Sequence, residues 1–396
     1  VTGGDGPVHV IMPGDVDDPG VPSGGNVYDR RVCRGLAALG RPVAESAIPG
    51  AWPRPGADAR AELARTLAAL PDGAVVLLDG LVACGVPEIV APEARRLRTA
   101  VLVHLPLAAE TGLPPGIAAS LDAAERATLR AAAAVLVTSP WAARAVAGRH
   151  GLDPAVVHVV PPGADPAPLA PGTDGASSLL CVAAVTPRKG HDLLVRALAP
   201  LAGLPWACVC AGPLRDPAHA GRVRRLIGDL GLRGRVRLAG PRTGEALEKC
   251  YAAADLVVLA SRGETYGMVV TEALARGIPV LATAVDALPE TLGRAPDGGV
   301  PGGGVPARDV PARDVPGGGV PGGGVPGGGV PGMLVPPDDP AALTGALRRW
   351  LTEPELRRSL RAAARARRKI LPGWEATARR MGGVLERMRW QPLRTT

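Results

Sequence analysis

Short apolar runs alternate with longer segments of helical period in this chain, and the alternation occurs twice. "VHVIMPG" (8–14), "AVVLLDG" (74–80), "AVLVHLPL" (100–107) and "AAVLVTS" (133–139) read as buried strands, with "YDRRVCRGLAALG", "DARAELARTLAAL" and "SLDAAERATLRAA" between them as helices. A second series follows in "SLLCVAAV" (178–185), "WACVCAG" (206–212), "RVRLAG" (235–240), "DLVVLAS" (255–261) and "IPVLAT" (278–283). Runs that are apolar at nearly every position need cover on both faces, which parallel sheets flanked by helices provide. The expected class is α/β, with two doubly wound, Rossmann-like domains. A chain of 396 residues is long enough for both cores.

The join falls in "HVVPPGADPAPLAPGTDGASS" (158–178), rich in Pro, Gly and Asp. Domains are therefore expected over 1–165 and 166–375, with a closing helix and tail over 376–396. Residues 300–330 obey neither period: they repeat a five-residue unit, VPGGG or VPARD, that has no larger apolar side chain to build a core. They read as a flexible insertion. With aromatics at 2% and no Phe, Leu, Val and Ala must fill the cores. The six cysteines show no CxxC spacing, which favours buried free thiols over a zinc site. No run approaches the ~18 apolar residues of a membrane span and no secretory signal opens the chain, so a cytoplasmic protein is expected. A net charge of +8 favours anionic partners such as phosphates, lipid headgroups or nucleic acid.

"SRGETYGMVVTEALARGIPVLAT" (261–283) is the most informative stretch. A strand ends before it, and "MVVTEALAR" has helical spacing with Gly277 and Pro279 as the stop. Glu264 then sits in the strand-to-helix loop and Glu272 about a turn inside the helix. Between them Tyr266, Gly267 and Met268 offer backbone N–H groups at the carboxyl end of a sheet, where phosphates bind. Carboxylates accept paired hydrogen bonds from vicinal hydroxyls, so two acids flanking an anion site suit a nucleotide sugar. An exposed loop Glu plus a helix Glu paired with Arg276 fits the same residues.

The order of motifs resembles the retaining glycosyltransferases of family four, which have the GT-B fold. "ETYGMVVTEALARGIPVLAT" is similar to that family's Glu-x7-Glu segment, "VTPRKGHDLLVRAL" to its phosphate-binding stretch, and "SGGNVYDRRVCRGLAALG" to its first glycine-rich loop. "VVPPGADP", "AGPL", "RVRLAG", "YAAADLVVLAS" and the closing "LPGWEATARRMGGVLE" extend the likeness over most of the chain. The resemblance implies an acceptor-binding first domain, a nucleotide-sugar-binding second domain and a C-terminal helix that returns to the first. It implies that Glu264 binds hydroxyls of the donor sugar and Glu272 those of the ribose. N–H groups around Tyr266, Gly267 and Met268 would receive the distal phosphate. Lys189, one of only three lysines, would neutralise the leaving diphosphate. Gly24 and Gly25, ahead of a helix expected to begin near Val27, would lie beside the diphosphate, and His104 would line the cleft near the reacting centre.

Two departures stand out. Ala183 and Ala184 replace the family's usual Gly-Arg, leaving Arg188 as a substitute clamp, and Asp286 replaces a common glycine. The resemblance implies an EC 2.4 glycosyltransferase acting with retention on a UDP- or GDP-linked sugar, with no cofactor or metal. "DVDD" (15–18) reads as a solvated turn. A nucleotide-sugar epimerase of the same fold and a catalytically weak nucleotide-sugar-binding protein are the competing readings. Acceptors would be small molecules, lipids or glycans, and nucleic acid is not expected. The basic segment "PELRRSLRAAARARRKIL" (354–371) allows peripheral contact with an anionic inner membrane face, although a packed helix with a solvated Arg face is the preferred reading.

Overall fold

The computed structural model describes residues 6–20, 22–295 and 329–390. The repeat at 300–330 therefore lies outside the described residues, apart from 329–330. The first sheet contains β1 (Val8–Pro13), β2 (Val43–Ile48), β3 (Val75–Asp79), β4 (Arg98–Val103), β5 (Ala134–Val137) and β6 (Val157–Val159). The second contains β7 (Ser178–Val182), β8 (Ala207–Ala211), β9 (Val236–Gly240), β10 (Leu256–Leu259), β11 (Val280–Thr283) and β12 (Gly332–Val335). Their orders are β2-β1-β3-β4-β5-β6 and β12-β11-β10-β7-β8-β9, and every pairing is parallel. This is the two-domain α/β architecture read from the doubled alternation.

Burial explains which strands were legible. β3, β5, β10 and β11 are buried at every position, as strands covered on both faces must be. The edge strands β2 and β12 were not expected, and the short β6 was read as part of the join. β2 ("VAESAI") is largely half-exposed or exposed, so it shows no continuous apolar run. β12 has only four residues, paired to β11 on one side.

Each sheet has a point where the strand order reverses, between β1 and β3 in the first and between β7 and β10 in the second. Loops leaving the carboxyl ends of strands beside such a point diverge and open a crevice. Those loops carry the glycine-rich stretch after β1, the Lys189 turn after β7 and Glu264 after β10.

The closing helix, Trp374–Trp390, returns to the first domain, placing Met381, Val384, Leu385 and Met388 in one apolar cluster with β1, β3 and β4 side chains. Burial of four such side chains contributes roughly 1.5–3 kcal/mol each before ordering costs. The helix crosses the glycine-loop helix, Gly24–Ala38, at Gly35, where a Cβ would lie 2.6 Å from that of Ala378. The basic helix Pro354–Arg368 buries Leu356, Leu360, Ala363 and Ala364, and it packs on Met268–Ala275 and Pro340–Thr352. Its apolar face is thus used within the fold. Among the described residues, no helix is long and apolar enough to cross a membrane.

Candidate active site

The loop after β10 delivers Glu264, which is 7% exposed. Its Oε1 accepts from Lys189 Nζ at 2.5 Å and from Ser261 Oγ at 2.9 Å, with Arg188 Nη1 3.9 Å from Oε2. Burial pushes the carboxyl up, but Lys189, Arg188 and the two hydrogen bonds outweigh it and hold Glu264 below the ordinary carboxylate range. Lys189 and Arg188 both lie against the Glu264 carboxylate, with Glu110 3.5 Å from Arg188 on its other side.

Three residues on, Gly267 adopts φ 84° and starts the helix Met268–Ala275. A side chain there would be strained by its φ and would place a Cβ 2.6 Å from Leu288 Cδ2. Among the described residues, the N–H groups of Gly267 and Met268 have no protein acceptor. A helix start with free N–H groups carries partial positive charge and binds anions.

Lys189 stands in the turn Pro187–Lys189, which leads through Gly190 into the helix His191–Leu198. Gly190 has φ 63°, and a Cβ on it would fall 1.8 Å from the Ala260 carbonyl oxygen. Only glycine lets the Lys189 turn lie this close to the end of β10. The Arg188 side chain does not reach into solvent: it donates to the Gly263 carbonyl at 3.0 Å and lies 3.5 Å from Glu110. Asp286, the other departure, holds φ 48°, a conformation natural to glycine, and its Oδ2 accepts from the Glu264 N–H at 2.9 Å. Asp286 thus holds a backbone shape that glycine adopts readily and anchors Glu264.

The first domain contributes the start of the Gly24–Ala38 helix, three residues earlier than expected because Ser23 caps it by accepting from Asn26 N–H at 3.0 Å. A Cβ on Gly24 would lie 3.4 Å from Met268 Sδ, and one on Gly25 would lie 3.1 Å from His104 Cδ2. Two helix starts and His104 therefore meet across the domain boundary. His104 Nε2 is 2.8 Å from Asp29 Oδ1 and 3.9 Å from Asp79 Oδ2, both acids being buried, and its ring meets Tyr28 edge-on at 5.2 Å. Burial opposes the charged ring, but Asp29 and then Asp79 raise the imidazole to about 9. Burial, reinforced by Asp29, holds Asp79 well above its ordinary value.

The domains touch through these loops. Thr265 Oγ1 donates to the His104 carbonyl at 2.5 Å, Thr138 Oγ1 to the Thr265 carbonyl at 3.3 Å, and Arg188 N–H to Thr111 Oγ1 at 3.0 Å. Glu264, Lys189, Arg188, Gly267, Met268, Gly24, Gly25 and His104 are thus brought to one junction. Tyr266 is beside it, but its hydroxyl donates to the Pro162 carbonyl at 3.2 Å. Glu272 lies a turn further along, where its Oε2 accepts from the buried Tyr251 hydroxyl at 2.5 Å. Arg276 does not pair with the Glu272 carboxylate. It stacks over Tyr251 at 4.4 Å, pairs with Glu248 and donates to the Glu272 carbonyl at 2.8 Å. A cavity of about 380 Å³ beside the Lys189 turn is lined by Pro187, Asp192, His219, Arg222 and Arg262, among others, and by neither acid nor the helix start.

Asp29 and Asp79 were not foreseen. The signals available were an acid one turn beyond Gly25 and an acid closing the "VVLLD" strand at its carboxyl end. The profile of Glycosyltransferase Family 4 matches residues 8–168, and that of Glycosyl transferases group 1 matches residues 173–300. The chain belongs to glycosyltransferase family 4. D-inositol 3-phosphate glycosyltransferase of Kineococcus radiotolerans is 34% identical over 274 residues, covering 64% of this chain and 57% of that one. The protein of the same name from Jonesia denitrificans is 28% identical over 286 residues, covering 67% and 59%. The likeness thus spans less than two thirds of these relatives' length. Among solved structures, sucrose-phosphate synthase from Thermosynechococcus elongatus superposes with a TM-score of 0.71 at 22% identity, covering 96% of this chain and 98% of that one. Anabaena HepE in complex with UDP and glucose gives 0.69 at 16% identity, with the same coverage. These structural likenesses establish the fold of this family 4 chain, which is GT-B.

Proposed function

We propose that this family 4 chain transfers a sugar, with retention, from a nucleotide-diphosphate sugar to an acceptor hydroxyl. The observation that carries the reading is the meeting of a helix start with free N–H groups, the Lys189–Glu264 pair and the glycine-loop helix start at one interdomain junction. The diphosphate docks on the Gly267 and Met268 N–H groups, with Lys189 and Arg188 alongside. Glu264 exchanges its bond to Lys189 for hydroxyls of the donor sugar, and Glu272 receives the ribose.

In the reaction the anomeric C–O bond to the diphosphate breaks. The acceptor oxygen bonds to that carbon on the same face, and its proton passes to the departing phosphate oxygen. Lys189 and the helix start stabilise the charge that grows on the diphosphate, and no metal is needed for that role. The His104–Asp29 pair lies at the same junction from the first domain, against the Gly25 helix start. UDP-sugars and an inositol phosphate are the first pair to test, since neighbours bind UDP and relatives are named for inositol 3-phosphate. A cytoplasmic enzyme fits such soluble donors. Contact with an anionic membrane would rest on surface arginines alone, because the apolar face of Pro354–Arg368 is buried.

Incubation of UDP- and GDP-sugars with and without inositol phosphates, followed by release of nucleotide diphosphate and by the anomeric configuration of the product, tests the reading. Acceptor-dependent release with retention is expected, unchanged by added Mg²⁺ and at least tenfold lower in Lys189→Ala and Glu264→Ala. Conversion of the donor sugar without acceptor would identify an epimerase. Binding without turnover would identify a nucleotide-sugar-binding protein.

A further inference from the structure

Directly beneath the Lys189 turn is a cluster outside the donor site. Cys181 on β7 and Cys210 on β8 are register partners in neighbouring parallel strands. His191 is the first residue of the helix that follows Lys189 and Gly190. Each of the three is 1% exposed. The Cys181 Sγ to His191 Nε2 separation is 3.8 Å, and the ligand atoms of all three residues lie within 4.8 Å of one another. Among the described residues, His191 Nδ1 is buried with no hydrogen-bond partner. A buried imidazole ordinarily has both nitrogens satisfied; here one meets only a thiol and the other meets nothing.

We infer that Cys181, His191 and Cys210 form a structural site for a soft divalent metal, zinc(II), that pins the Lys189 turn to the second sheet. Zinc bonds of about 2.3 Å to sulfur and 2.0–2.1 Å to nitrogen, at angles of 110–120°, set sulfur and nitrogen roughly 3.6–3.8 Å apart. The observed 3.8 Å between Cys181 and His191 matches that spacing, and the Cys210 thiol lies within 4.8 Å of both. Two thiolates and a neutral imidazole cancel the charge of a dication. That neutrality suits surroundings that include Leu194, Leu256 and Val258, where a net charge would be costly. Thiolate and imidazole ligands select zinc over magnesium or calcium. Binding displaces one proton from each coordinating thiol. The spacing of the cysteines along the chain hides the site, because it is assembled by strand pairing rather than by a local CxxC turn.

The test is metal analysis of the full chain. Protein expressed in zinc-supplemented medium and desalted into metal-free buffer is expected to carry about one zinc per chain by mass spectrometry of the elements. Protein refolded with cobalt(II) is expected to show a thiolate-to-cobalt charge-transfer band. The doubly substituted chain Cys181→Val, Cys210→Val, which keeps the core apolar, loses both signals, whereas Cys33→Ala in the first domain retains them. Either signal appearing in the unsubstituted chain and vanishing in the double variant supports the site. Absence of both from the unsubstituted chain, or persistence of either in the double variant, overturns it, and the first of these criteria does not depend on the variant folding. Neither readout involves sugar transfer, so failure of this inference is separable from failure of the proposed function.

Discussion

Asp286 offers a decomposition of two opposing effects at one position. Its carboxylate accepts from the Glu264 N–H at 2.9 Å, while its backbone sits at φ 48°. A hydrogen bond to a charged group contributes about 1.5–3 kcal/mol, and the left-handed conformation costs a residue with a Cβ roughly 1–2 kcal/mol relative to glycine. Asp286→Gly loses the bond but removes the strain, so its net destabilisation should be only about 1 kcal/mol. Asp286→Ala loses the bond and keeps the strain the native chain already carries, which predicts about 1.5–3 kcal/mol. Urea denaturation measures both, and the difference between Ala and Gly isolates the backbone contribution. Because the anchor positions Glu264, both variants should also lower donor kcat/KM by about tenfold, a change worth about 1.4 kcal/mol. Asp286→Asn, which tolerates the same φ and keeps an acceptor, should fall between the glycine variant and the native chain. If Asp286→Gly equals or exceeds the native protein in stability with donor kinetics unchanged, the anchor contributes nothing. If Ala and Gly variants are equally stable, the strain argument fails.

Two further outcomes follow from the geometry. The folded-state pKa of His104 is raised to about 9 from 6.5, so its contribution to stability is complete below about pH 6.5 and is lost as pH rises through about 9. The full shift corresponds to at most about 3.4 kcal/mol, and Asp29→Asn should flatten the stability profile over that interval; an unchanged slope would refute the pairing. Gly190→Ala forces a Cβ to 1.8 Å from the Ala260 oxygen and should lower stability by more than about 2 kcal/mol, beyond the cost of the left-handed backbone alone; a thermal midpoint within a degree of native would contradict the described turn.

Most strands legible in the sequence are buried on both sides; β9, an edge strand read from "RVRLAG", is an exception. β3, β5, β10 and β11 advertise themselves because no position on them meets water. β2 and β12 pair along one edge only, so β2 alternates toward polarity and β12 is buried only at its two ends. At the site, Lys189 and Glu264 could be singled out because a glycine-bounded loop and a rare residue mark them locally. Glu272 was equally visible as a residue, but its bond to Tyr251, 21 positions away, is not a local property. The same limit hid the His104 environment. Asp29 on a helix and Asp79 at a strand end are brought to one imidazole only by sheet order, as are Cys181 and Cys210 by strand register.

The account as a whole depends on negative phosphoryl groups docking at the Met268 helix start. Isothermal titration of UDP and a UDP-sugar into the native chain, Lys189→Ala and Glu264→Gln tests this most directly, because the two side chains are assigned to different parts of one ligand. Native protein should bind both ligands. Lys189→Ala should weaken both by at least tenfold, and Glu264→Gln should keep UDP while losing the added affinity of the sugar. Native chain that binds neither UDP nor GDP, or binds them as tightly once Lys189 is gone, would contradict the assignment of this helix start as the diphosphate site.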